Sequence, residues 1–408
     1  MLWIYNIGVM LYGFLLKIAA IFNPKAKMFI NGRKNGFKNF QERLNPSDCP
    51  IWFHFASLGE FEQGRPVLEK LKDIQPEQKV VVTFFSPSGY EIRKNYPLAD
   101  VFYLPLDTHQ NAKKFIEIVN PKLAIFTKYE FWFHYFKALN NHQIPLYLIS
   151  GIFRPGQIFF KWYGGFYRKI LQFVTHFFVQ NDESVKLLRN IGIESVSLAG
   201  DTRFDRVYEN AVAPRELPVI KKFCGQFPVF IAGSTWPEDE NLLNSLMQKY
   251  PDWKFIVAPH EIGANHIDQI EKLFPTAIKF SSFSTTDSAQ DARILIIDNI
   301  GMLSSLYQYA KIAYIGGGFG VGIHNTLEAA AFGLPVIFGP NYTRFQEAKD
   351  LIAIGAGKSI NNASELLTAF ELFKADDAAS TAAKNYVSKQ KGATNLIIQH
   401  IEHSPTAN

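Results

Sequence analysis

The sequence predicts an α/β protein of two Rossmann-like domains facing a cleft, preceded by an N-terminal membrane-anchor helix. Three observations carry this expectation. From residue 51 onward, short apolar runs alternate with helix-length amphipathic segments. The alternation breaks once, over residues 206–227, and then restarts. Ahead of both series, residues 2–22 read LWIYNIGVMLYGFLLKIAAIF, in which only Asn6 and Lys17 are strongly polar.

The leading segment comes first. At about 1.5 Å of rise per residue, a helix of this length reaches roughly 30 Å, the thickness of one hydrocarbon core. Lys17 lies near the far end and can snorkel. Trp3, Tyr5 and Tyr12 add interfacial character. Beyond Pro24, the basic residues Lys25, Lys27, Arg33, Lys34, Lys38 and Arg43 face one acid, Glu42. Positive charge of this kind marks the cytoplasmic side of a membrane, with anionic lipids as expected partners. The alternatives are a buried helix or a cleaved signal peptide. A signal peptide wants Lys or Arg before the apolar run and a small-x-small cleavage site; the first is absent and the second poor. The expected layout is an anchor at 1–24 that belongs to neither core, an N-terminal domain at 25–205, a linker at 206–227 and a C-terminal domain at 228–408.

In the first series the apolar runs are 51–56, 79–85, 101–106, 122–127, 145–149, 176–180 and 195–199; in the second they are 228–232, 254–258, 293–297, 312–316 and 335–338. Continuous apolar strands between amphipathic helices mean parallel sheets covered on both faces. Ligands of such sheets bind beyond the carboxyl ends of the strands. Helices are expected over about 362–374 and 376–401.

Composition excludes several classes. The 408 residues fit two domains of ordinary size, and 47% hydrophobic residues argue against disorder. The 37 Phe, 17 Tyr and 6 Trp can thicken a core or meet lipid and sugar faces. A net charge of +5 favours an acidic partner such as phosphate or anionic lipid. No nucleic-acid-binding signature is present, so no nucleic-acid partner is expected. Cys49 and Cys224 make no disulfide framework, which fits a reducing compartment. There is no HExxH, CxxC or clustered DxD, so neither metal nor other cofactor is expected.

The motifs fall at strand ends. Ser57-Leu58-Gly59-Glu60 follows the first run, where Gly59 permits a tight turn and Glu60 falls at a helix start. The helix dipole favours its ionised form, which suits a general base; a plain first-turn Glu would look the same. Ser86-Pro87-Ser88-Gly89 is as much a common turn as a phosphate loop. After the fourth run, Glu130 stands beside Trp132, either for sugar recognition or as part of a capped helix with a buried aromatic face. In the second series Ser234 and Thr235 follow a strand as an N-cap or anion site. His260 follows Pro259 at another strand end, where a lone His is more often structural. The most specific succession is 315–340, IGGGFGVGIHNTLEAAAFGLPVIFGP. Glycines follow a strand, and a helix opens near Thr326-Leu327-Glu328. Glycines allow backbone approach to a phosphate, and Glu328 is placed to accept from ribose hydroxyls.

In this order the motifs resemble those of the Kdo transferases of lipopolysaccharide synthesis, from the anchor to about residue 357. Kdo is 3-deoxy-D-manno-oct-2-ulosonic acid. The resemblance implies the GT-B glycosyltransferase fold and an inverting transfer of Kdo from CMP-Kdo to a lipid A precursor, lipid IVA. It implies Glu60 as the catalytic base. The M-E-T-E-L-W segment is similar to Thr127–Trp132, where Glu130 is kept and Lys128 replaces the first Glu. The G-N-x-K-F-D segment is similar to Gly200–Asp205, with Arg203 in place of a lysine that stabilises the transition state. The A-S-T-x-x-x-E-E stretch is similar to Gly233–Glu240, bringing Ser234 and Thr235. For CMP the resemblance implies Gly59, Ser234, Thr235, Pro259, His260, Ile300, Gly301, Met302, His324, Asn325, Thr326, Leu327 and Glu328. P-R-H becomes Ala258-Pro259-His260, without the arginine; M-G-E becomes Ile300-Gly301-Met302, without the acid; and the G-G-H-N-P-L-E motif has one glycine fewer. The rivals are a transferase of the same fold using a UDP- or GDP-sugar, and a membrane-tethered nucleotide-binding protein without turnover.

Overall fold

The structure, a computed structural model, describes residues 1–283, 292–375 and 377–403. They divide into two compact units, residues 1–205 with 391 onward, and residues 206–390.

The first unit is built on a seven-stranded sheet, β1 (Ile51–Phe55), β2 (Val80–Phe84), β3 (Asp100–Tyr103), β4 (Leu123–Thr127), β5 (Leu146–Gly151), β6 (His176–Val179) and β7 (Val196–Leu198). Its order is β3-β2-β1-β4-β5-β6-β7, parallel throughout. Ile51, Phe53 and Phe55 enter one hydrophobic core and Trp52 the other, so β1 is buried on both faces. The chain leaves β1 for β2 on one side and later lays β4 on the other. The switch point of the sheet therefore lies between β1 and β4.

The second unit has its own seven-stranded parallel sheet: β8 (Val229–Thr235), β9 (Lys254–Pro259), β10 (Ile278–Lys279), β11 (Ile294–Ile296), β12 (Ile312–Ile315), β13 (Val336–Phe338) and β14 (Gly357–Ser359). The order is β10-β11-β9-β8-β12-β13-β14, with the switch between β8 and β12. Every apolar run named above is a strand. The additions, β10 and β14, are short edge strands with no apolar run of their own.

Three expectations about layout are corrected. Residues 206–227 are not a linker, because they begin the second unit. There Ile220, Phe223 and Cys224 of the helix Pro218–Cys224 are buried, and Leu217 N donates to the Tyr309 hydroxyl at 2.9 Å. Nor does the second unit run to the end. Its helix Asp377–Gln390 stops before Gly392, whose φ of +119° only glycine adopts readily. The helix Ala393–Glu402 then returns to the first unit, where Ile397, Ile398 and Ile401 join the core of Phe53, Phe61 and Leu68. Asp205 fixes its start, accepting from Gly392 N, from Thr394 N at 2.8 Å and from the Thr394 hydroxyl at 2.9 Å.

The third correction concerns the N-terminal segment. It is a helix, Leu2–Ala19, and Gly13 is its only buried residue. Trp3, Met10 and Phe14 are exposed by 66%, 69% and 59%. One face nevertheless belongs to the first unit. The Tyr5 hydroxyl donates to Asp107 at 2.5 Å and accepts from Phe133 N at 3.3 Å, and His134 Nε2 meets Asn6 Oδ1 at 2.7 Å. A Cβ on Gly13 would sit 2.7 Å from Leu106 Cδ1, so the helix lies close on that side chain there. The expectation of an anchor apart from both cores holds only for the outer face. Two of the flanking cations are likewise engaged in the protein. Arg33 donates to the carbonyls of Leu104, Phe85 and Phe29, and Arg43 pairs with Asp100 at 2.6 Å.

Candidate active site

At the end of β1, Ser57 leads into the helix Leu58–Ile74 and Glu60 sits in its first turn, half-buried, accepting from the Ser57 hydroxyl. The helix lies close on the sheet, because a Cβ on Gly64 would stand 2.3 Å from Phe55 and 3.0 Å from the Thr127 hydroxyl. A Cβ on Gly59 would meet only Ser57 Oγ, at 3.7 Å, so the space over it is open.

At the end of β4 the backbone turns left-handed at Lys128, with φ of 59°. A non-glycine residue adopts this only where the surroundings impose it. The turn brings Glu130 to the switch point beside the end of β1. There Glu130 Oε2 accepts from Trp132 Nε1 at 2.9 Å and pairs with His54 Nε2 at 3.2 Å. His54 is fully buried in β1, and its Nδ1 lies 2.8 Å from the Thr83 hydroxyl, which also accepts from Trp52 Nε1 at 2.8 Å. Trp52, Thr83 and His54 thus form a buried relay that orients Glu130.

Arg203 begins the helix that follows β7. It donates through Nε to Asp201 at 2.9 Å and reaches the same carboxylate through a second nitrogen at 2.7 Å. Its loop is pinned by the Thr202 hydroxyl, which donates to the Gln63 carbonyl and lies 3.2 Å from Ser150 Oγ. Gln63 is one turn beyond Glu60, so the Arg203 loop crosses the helix that carries the candidate base.

In the second unit the residues gather around the ends of β8, β9 and β12. Ser234 is left-handed, with φ of 54°. Thr235 is buried and donates to Glu240 at 2.8 Å. Pro259 ends β9, and His260 N donates back to the Thr235 carbonyl at 3.0 Å. The His260 ring stacks on Trp236 at 5.0 Å and on His324 at 4.3 Å. Trp236 Nε1 donates to His324 Nε2 at 3.2 Å. Asp239 ties the Gly-rich loop to the Pro237–Lys249 helix, accepting from Tyr314 at 2.5 Å, Gly317 N at 2.9 Å and Trp236 N at 3.0 Å. Cβ atoms would lie 2.3 Å from the Ser234 carbonyl at Gly316 and 2.6 Å from Gly339 at Gly318, so this crossing admits only glycine.

Downstream, Asn325 accepts from Leu327 N at 3.0 Å and donates to Glu328 at 3.1 Å. Thr326 is buried, and its hydroxyl has no partner among the described residues. Gly301, with φ of +91°, turns the chain so that Met302 is buried while Ile300 is 84% exposed.

Burial, with the neighbouring His260, pushes the His324 imidazole down from 6.5 to about 4. The ring is neutral at pH 7, which agrees with Nε2 accepting from Trp236 and leaves the proton on Nδ1. A group whose folded pKa is depressed binds its proton more tightly when unfolded. Its contribution to stability is full above pH 6.5 and is lost as the pH falls toward 4. An NMR titration should find the His324 midpoint near 4; an ordinary midpoint near 6.5 would contradict the stacked geometry.

In the first unit Glu60 and Glu130 follow adjoining strands and the Arg203 loop packs on the Glu60 helix; in the second, His260 and His324 meet at Trp236, whereas Ile300 is exposed. Sequence reasoning missed His54, Thr83, Trp236 and Asp239. The signal for His54 was its period-two alternation with Trp52, which puts it on a buried face.

Two parallel sheets with their candidate residues at strand ends define the class as GT-B-like α/β. Solved structures agree on the fold. UDP-GlcNAc 2-epimerase from Neisseria meningitidis, bound to UDP-GlcNAc, superposes with a TM-score of 0.60 at 16% identity, covering 87% of this chain and 100% of that one. Acinetobacter baumannii MurG gives 0.53 at 12% identity, covering 87% and 100%. Residues 32–206 match the family described as 3-deoxy-D-manno-octulosonic-acid transferase (kdotransferase). The 3-deoxy-D-manno-octulosonic acid transferase of Aquifex aeolicus is 27% identical over 338 residues, 80% of this chain and 87% of that one. The chain is thus similar to Kdo transferases, the family that its motifs resemble.

Proposed function

We propose that this protein transfers Kdo from CMP-Kdo to a lipid A precursor, with inversion and without a covalent enzyme intermediate, at the cytoplasmic face of a bacterial inner membrane. The observation that carries the reading is the setting of Glu60 and Glu130 at the carboxyl ends of adjoining strands, β1 and β4, at a sheet switch point. The kinship with Kdo transferases supplies the sugar. Glu60 takes the proton from an acceptor hydroxyl, that oxygen attacks the anomeric carbon, and CMP leaves with the bonding electrons. Glu130, held by His54 and Trp132, orients the sugar. Arg203, held rigid by Asp201, offers donors to the charge that develops on transfer. In the second unit the Gly-rich loop and the residues from His324 to Glu328 hold CMP. The exposed face of the Leu2–Ala19 helix keeps the protein at the membrane that carries its acceptor.

The test is incubation of the full chain with CMP-Kdo and a tetra-acylated lipid A precursor in EDTA, followed by product mass measurement. A gain of one or more Kdo masses is expected. No product, or product only after a divalent ion is restored, would count against the reading. The second unit is tested separately by calorimetry with CMP, UDP and GDP. CMP should bind best, and Glu328→Ala should weaken it about ten- to a hundredfold, the cost of one or two hydrogen bonds to a charged group. Unchanged affinity would remove Glu328 from the donor site.

A further inference from the structure

Beneath the Leu2–Ala19 helix lies a cavity of 540 Å³ that the proposed chemistry does not use. The helix forms one wall through Gly8, Val9 and Tyr12; Phe85, Leu106 and Trp132 form the other. The lining is mostly apolar, and its polar atoms include groups already engaged. The Tyr5 hydroxyl holds Asp107, and Trp132 Nε1 holds Glu130. A sugar or phosphate would find few donors there. Gly8 leaves its side of the cavity open, since a Cβ there would meet nothing within 4 Å.

We infer that this cavity is a binding site for one acyl chain of the lipid acceptor, so that the membrane helix is also a wall of the substrate site. The inference rests on the proposed transfer to a lipid acceptor and names where part of that acceptor goes. Two features select the occupant. Trp132 is shared, with its ring lining the cavity while its N–H fixes the carboxylate of Glu130. A molecule whose polar head lies at Glu130 and whose tail enters the cavity is therefore amphiphilic. The outer face of the helix presents Trp3, Met10 and Phe14 to the surroundings. A chain can thus leave a bilayer for the cavity without exposing its methylenes to water.

The test fills the cavity from the side with room. Gly8→Leu adds an apolar side chain where no atom stands in the way, and leucine favours the helix more than glycine does. The full chain in unbrominated detergent micelles is titrated with a phospholipid bearing a dibrominated stearoyl chain, and tryptophan fluorescence is followed. The Trp132 share is the difference between the wild type and Trp132→Phe. In the wild type this share should be quenched saturably; in Gly8→Leu it should fall at least about tenfold in apparent affinity, while quenching of the outward Trp3 is unchanged. In the transfer assay Gly8→Leu should raise the KM for the acylated acceptor and leave the CMP affinity alone. Absence of Trp132 quenching in the wild type, or equal quenching in Gly8→Leu, overturns the inference. Saturable quenching without any Kdo transfer overturns the proposed reaction and leaves the acyl site standing.

Discussion

Glu60→Gln should keep the melting transition of the wild type and lose about 10²- to 10⁴-fold in transfer, the range for removing a general base. The amide matches the carboxylate in shape and can still meet the Ser57 hydroxyl, so the helix start should survive. It cannot take a proton. The proposed donor site lies in the other unit, so the loss should appear in kcat rather than in CMP affinity. Turnover close to that of the wild type would reassign the base, with Glu130 next in line. Glu130→Gln differs in a readable way. It leaves His54 Nε2 a neutral acceptor in place of a carboxylate, and should shift the KM for the acceptor along with the rate.

The largest expected effect on stability is at Asp205. Its two carboxylate oxygens satisfy the Gly392 and Thr394 amides and the Thr394 hydroxyl. Asp205→Ala leaves these donors beside a buried position, and should cost about 3 kcal/mol, the upper end for hydrogen bonds to a charged group. The helix Ala393–Glu402 should fray first, uncovering Ile397, Ile398 and Ile401. Chemical denaturation should show the lower midpoint, and amide exchange over residues 391–402 should rise ahead of the rest. Asp205→Asn keeps one acceptor and should fall between. An unfolding free energy within about 0.5 kcal/mol of the wild type, the usual effect of a surface change, would mean that the core contacts alone hold this helix.

Much of the fold was legible because its strands are buried on both faces and so read as unbroken apolar runs. Strands β10 and β14 were not, because two or three residues at a sheet edge carry no such run. The side on which the last helix packs was also hidden. Its amphipathic pattern says that it covers a core, not which one, and that choice is made by Asp205, far away in sequence. At the site, Glu60 and Glu130 announced themselves by position at strand ends. His54 did not, since a lone histidine inside a strand gives no hint of a carboxylate at residue 130. The N-terminal segment was legible as apolar, but its inner face depends on Tyr5, Asn6 and Gly13 meeting partners from later strands and loops, which periodicity alone does not reveal.

The return of the Ala393–Glu402 helix has a consequence for biosynthesis. The second unit is one continuous stretch and can fold as soon as it has left the ribosome. The first unit cannot be finished until residues 391–402, made after the whole of the second, have emerged. At about 5–20 residues per second, the intervening segment takes roughly ten to forty seconds to synthesise. Throughout that interval the Leu58–Ile74 helix lacks the cover that Ile397, Ile398 and Ile401 later provide. The nascent protein thus holds an open apolar groove, and ribosome-bound chains stalled before residue 391 should be the species that chaperones capture.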